Sequence, residues 1–146
     1  MRRSLKALCF TVVALCVAVG AGYASDAKDA KIKVFIRADS TVVNGQKFVD
    51  KDLEDSAQDL RRSPRGFVLA PNEADADLLF VVIKRELQTA QNSTDRRILT
   101  VAISTRDSAD WKPATVITKN EQVHWSTLAH EWMGEAGKWA KANFKK

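Results

Sequence analysis

The sequence predicts an α+β domain, a two-layer sandwich in which a mainly antiparallel sheet of about four to five strands carries two helices on one face, in the order β-α-β-β-β-α. Three observations predict it. Segments 50–62 and 126–143 repeat apolar residues at helical spacing. The segments around them are short apolar or alternating runs, the period of strands. An Asn-Gly pair sits between two short apolar flanks, the local signal of a tight hairpin.

The elements follow in chain order. In 31–37, Ile32, Val34 and Ile36 alternate with Lys31, Lys33 and Arg37, so a strand with one buried face is expected. Segment 41–49 is the hairpin signal: Asn44-Gly45 accepts positive φ at both central positions, as a type I′ turn demands. Its flanks are short, so a plain surface turn is the simple reading and a recognition loop the alternative. The first helix is expected over 50–62, with Val49, Leu53, Ala57 and Leu60 on one stripe. Asp50 or Asp52 caps it, acids crowd its start, Arg61-Arg62 close it and Ser63-Pro64 stops it. A short strand is expected over 66–70 and an acidic turn over 73–77. The run 78–83 is apolar throughout, which reads as a central strand with an exposed extension at Lys84-Arg85-Glu86. Polar residues 88–97 read as a hairpin loop, 98–106 as a strand and 107–113 as a second loop. Val116-Ile117 and Val123-His124-Trp125 suggest one or two further short strands. The last helix spans 126–143, capped by Ser126 or Thr127, with Leu128, Ala129, Trp132, Met133, Ala136, Trp139, Ala140 and Phe144 on a broad face. Gly134 and Gly137 fall on its exposed side, either as tolerated helix glycines or as a place for a partner to approach closely.

Residues 1–24 read as a secretory signal peptide: Arg2, Arg3 and Lys6 form a basic start, 7–20 an apolar centre, and Gly22-Tyr23-Ala24 a small-residue site for cleavage after Ala24. The alternative is a retained anchor, although the uncharged run barely spans a bilayer core of roughly 30 Å. Arg2-Arg3 lacks the rest of a twin-arginine motif, and Leu15 before Cys16 argues against lipidation. A linker at 25–30 and a single domain over 31–146 follow. Cys9 and Cys16 leave with the signal, so the exported chain has no disulfide and depends on its core. Loss of Arg2, Arg3 and Lys6 reduces 23 basic residues to 20 against 18 acidic, a net charge of +2. That balance argues against nucleic-acid binding, and no stable membrane insertion is expected after cleavage.

No constellation amounts to a catalytic, metal or cofactor site. His130-Glu131 opens like a zinc-protease helix, but position 134, where the second imidazole belongs, is Gly. His124 and His130 with nearby acids leave a small metal-dependent hydrolase as one alternative. No serine occupies a nucleophile elbow, and Asp75 and Asp77 lack the spacing of a calcium loop. Trp111 and Lys112, in the polar stretch 107–113, are the binding candidates, since a loop tryptophan commonly anchors a partner or a glycan. Folding back over the sheet edge is the competing reading. Asn92-Ser93-Thr94 is a glycosylation sequon.

The stretch Ala74-Asp75-Ala76-Asp77-Leu78-Leu79-Phe80-Val81-Val82, after a strand and an amphipathic helix and before a strand pair and a closing helix, resembles the small α/β domain of TolB N-terminal and CsgG-like envelope proteins. The resemblance extends in pattern over 31–144 and also to uncharacterised exported bacterial proteins of this size. It implies a periplasmic protein-interaction module with no catalytic residues. The expected function is therefore a non-enzymatic, exported module that binds another envelope protein, located in the periplasm or secreted. A small-ligand or carbohydrate binder is the other alternative. An interaction module needs an exposed apolar patch or open strand edge, a ligand binder a concave cavity, and an enzyme convergence of the histidines with a carboxylate.

Overall fold

The computed structural model describes residues 31–89, 91 and 95–145; the signal peptide, the linker and the Asn92 sequon lie outside the described residues. A five-stranded sheet has the order β4-β1-β5-β6-β7, and β2-β3 forms a separate two-stranded ribbon. The strands are β1 (Lys33–Ala38), β2 (Ser40–Val43), β3 (Gln46–Val49), β4 (Val68–Leu69), β5 (Leu78–Gln88), β6 (Arg96–Asp107) and β7 (Asp110–Glu121). The helices are α1 (Lys51–Arg62) and α2 (Trp125–Asn143). The long ladders β5–β6 and β6–β7 are antiparallel, whereas β1 runs parallel to β4 and to β5. The α1 crossover makes that possible, because a parallel neighbour cannot be reached by a tight turn.

Both helices pack on one sheet face. Ala57 and Leu60 of α1 and Leu128, Ala129, Trp132, Met133, Ala136 and Ala140 of α2 share one buried cluster with Val34, Ile36, Phe80, Val82, Leu99, Val101 and Ile103. Period-two alternation puts those strand residues on the same side. The opposite side carries the register row Arg37–Val81–Ala102–Val116.

Local chemistry sets several boundaries as expected. The Asp50 side chain accepts a hydrogen bond from Asp52 N at 2.8 Å, which caps α1. Asp50→Ala is expected to destabilise the domain by about 1 kcal/mol, read as a lower urea midpoint; an unchanged midpoint would show that water serves the freed amide equally well. Asn44 (φ 52°) and Gly45 (φ 77°) make the tight turn of the ribbon. Asp77 accepts from Lys33 N at 2.8 Å, and Asn72 accepts from Asp75 N at 3.0 Å over a short 3-10 turn at Glu73–Asp75. These acids therefore organise the entry to β5.

Other expectations are corrected. Residues 107–113 are not a loop: only Ser108-Ala109 turn, with Ser108 at φ 57°, and β7 begins at Asp110. The polar stretch 88–97 holds the ends of β5 and β6 as well as their connection. Pairing with each other extends these strands past the helices, where polar side chains meet water. Segment 66–70 supplies only the two-residue edge strand β4. Val123-His124-Trp125 is no strand; α2 starts at Trp125 with His124 as N-cap and no side-chain cap, so neither Ser126 nor Thr127 holds that place. Val49 belongs to the exposed ribbon, not to the α1 stripe.

Candidate interaction surface

Trp111 and Lys112 stand on the edge strand β7, opposite Arg106 and Thr105 of β6. The Arg106 guanidinium lies over the Trp111 ring at 4.7 Å from its centroid and donates to the backbone oxygens of Glu73 (2.9 Å) and Ala74. Lys112 pairs with Asp107 across the turn. The half-buried tryptophan thus already has a cationic partner of its own chain on one face. The structure brings Trp111 and Lys112 side by side in sequence only; their partners are separate.

The histidines do not converge on one pocket. His124 lines a shallow cleft with Asp55 and Arg62, and His130 lines the next with Ser63 and Thr127; Asp59 borders both. His130 Nδ1 and Ser63 Oγ are 2.6 Å apart, a contact that ties α2 to the end of α1. Among the described residues no group of three or more His, Cys, Asp or Glu side chains could hold a metal ion. In the first cleft, Lys51 hydrogen-bonds Asp55 at 2.8 Å and holds that carboxyl below its ordinary range. Trp125 has two cations near its ring: Arg85 lies 4.2 Å and Arg97 5.9 Å from its centroid.

Among the described residues, the ribbon holds four of the exposed large apolar side chains, and Val116 (57%) and Leu87 (49%) are others. Val42 is 69% exposed, Val43 52%, Phe48 51% and Val49 45%. The register pairs Thr41 with Phe48, Val42 with Lys47, Val43 with Gln46 and Ser40 with Val49. Alternation then places Val43 and Phe48 on one face and Val42 and Val49 on the other. Packing one face against the domain would therefore leave the other still exposed. A two-stranded hairpin alone is marginal in water, so this ribbon gains stability from any surface that covers it. The Asn-Gly turn was readable in the sequence; the lack of cover was not.

No helix among the described residues is long and apolar enough to cross a membrane. No family model matches the chain and no curated protein matches it, so no family match stands behind the likeness to TolB N-terminal and CsgG-like domains. Among solved structures, the chain is similar to a minor lipoprotein from Acinetobacter baumannii, with 14% identity and a TM-score of 0.40 over 76% of this chain and 93% of that one. A likeness at that TM-score carries no argument about function.

Proposed function

We propose that this chain is an exported, non-enzymatic protein-interaction module of the cell envelope and that its contact element is the β2–β3 ribbon. One observation carries the reading: four large apolar side chains lie exposed on both faces of a two-stranded element. Contiguous exposed apolar surface on a folded domain marks an interaction site more often than scattered single residues do. Phe48 is the natural anchor, because aromatic side chains dominate interface energetics. The basic and apolar start of the sequence supports export. Trp111 has a smaller place in this reading than its surroundings in the sequence suggest, since Arg106 already covers it.

A photo-crosslinking amino acid placed at Phe48, in the full chain expressed in its cell, tests the reading. One discrete crosslinked species is expected from position 48, lost when Val42→Ser and Val49→Ser are added. The same probe at Trp111 is expected to give none. Crosslinking from 111 but not from 48 would move the contact to the β6–β7 turn; crosslinking from neither would remove the interaction role.

A further inference from the structure

A concavity of about 630 Å³ lies along α2 beside the segment that joins α1 to β4. That volume falls within the range of small-molecule sites. Ile32, Phe67 and Ala140 supply apolar lining, and Arg65, Lys138 and Lys141 supply cations. Glu131, Glu135 and Lys119 complete the charged groups at its border. Lys138 hydrogen-bonds Glu135 at 3.0 Å and holds that carboxyl below its ordinary range. Lys119 lies 3.8 Å from Glu121. Arg65 and Lys141, by contrast, have no carboxylate partner among the ion pairs of the described residues.

Arg65 is held in place by unusual means. Its backbone has φ 41°, a left-handed conformation that a long side chain seldom adopts, and Gly66 follows at φ 93°. Its guanidinium donates to the His130 carbonyl at 3.4 Å and lies against Gly134, where a Cβ would stand 2.6 Å from Nη1. The glycine at 134 thus clears a seat for an arginine of the same chain, not for a partner helix. Gly137, one turn on, faces open space: a Cβ there would meet nothing within 4 Å. A glycine in mid-helix is unfavourable, and here nothing inside the fold requires it.

We infer that this groove binds an anionic amphiphile, a carboxylate carried on an apolar chain, with Arg65 and Lys141 receiving the anion and Ile32, beside the largely buried Phe67 and Ala140, the chain. Guanidinium matches a carboxylate with two parallel donors. The site is separate from the ribbon, so its success or failure is read independently of the proposed contact element.

The test titrates dansyl-undecanoic acid, below its micelle concentration, into protein purified as the cell processes it, with dansyl fluorescence as the readout. Saturable one-site binding is expected, displaced by dodecanoate and not by neutral dodecanol or by acetate. Arg65→Gln is expected to weaken it about tenfold, the loss of one strong charge-assisted contact. Gly137→Leu is expected to abolish it by filling the groove while leaving the circular dichroism melt no lower, since leucine favours a helix and has room there. No saturable binding, equal affinity in wild type and both variants, or equal displacement by dodecanol would each overturn the inference.

Discussion

Alanine in place of Trp132 is expected to destabilise the domain by about 4 kcal/mol, a large share of what a domain of this size possesses. The side chain is fully buried. Its ring meets Phe80 edge to face at 5.2 Å and 77°, and Phe80 meets Phe67 in the same manner at 5.4 Å and 89°. This aromatic row connects α2, the first part of β5 and the entry to β4. At the other end of the ring, Nε1 donates to the Ile117 carbonyl of β7 at 3.0 Å. Alanine therefore opens a large cavity, removes a ring from the row and frees a carbonyl, all in a chain whose described domain contains no cysteine. Trp132→Phe keeps most of the volume and the ring contact but not the donor, so about 1–2 kcal/mol is expected. Guanidinium denaturation followed by far-UV circular dichroism separates the two, provided the slope is unchanged. A loss below about 1 kcal/mol for the alanine variant would mean that the core collapses around the gap, and that the aromatic row is not what joins the layers.

The parts of this architecture readable from the sequence are those decided by neighbouring residues. Asp50, the acid-to-base gradient and Ser63-Pro64 bound α1 through local hydrogen bonding and sterics. Asn44-Gly45 forms its turn because both residues tolerate positive φ. Leu78, Phe80 and Val82 read as a central strand, and β5 lies between β1 and β6. The parts that were hidden depend on distant partners. Strand β7 is disguised by Pro113 and by a register shift opposite Ile103/Ser104, and its turn uses Ser108 where glycine or asparagine would have signalled it. The β6 ladder makes this segment a strand, and for that reason the residues around Trp111 read as a loop when taken alone. The surfaces were hidden for a related reason. Val42 and Phe48 read like any hairpin residues, because exposure is decided by what does not pack on them. The position of Arg65 depends on a glycine in a helix at the far end of the chain.

Arg61→Ala is expected to be the most damaging change at any charged residue of α1, at about 2–3 kcal/mol. Along the outer edge of β1, alternate carbonyls need donors. Val68 N serves Ile32 O at 3.0 Å and Ala70 N serves Val34 O at 2.8 Å. There β4 ends, and the next carbonyl in the series, that of Ile36, accepts from Arg61 Nε at 3.1 Å and Nη2 at 2.8 Å. The side chain thus continues the ladder where the backbone cannot, and Nη1 holds Glu54 at 2.8 Å. Two of its three bonds go to a part-buried carbonyl, so the loss exceeds that of a surface ion pair. Glu54→Gln, which weakens only the partly exposed pair, is expected to lose less than about 1 kcal/mol. Arg61→Lys has one donor head in place of a planar fork, so an intermediate loss of about 1–2 kcal/mol is expected. Urea unfolding of the three variants gives the order directly. Equal losses for Arg61→Ala and Glu54→Gln would assign the effect to the ion pair. A larger loss for Arg61→Ala places it in the carbonyl of Ile36, and makes a side chain of α1 part of the edge of the sheet.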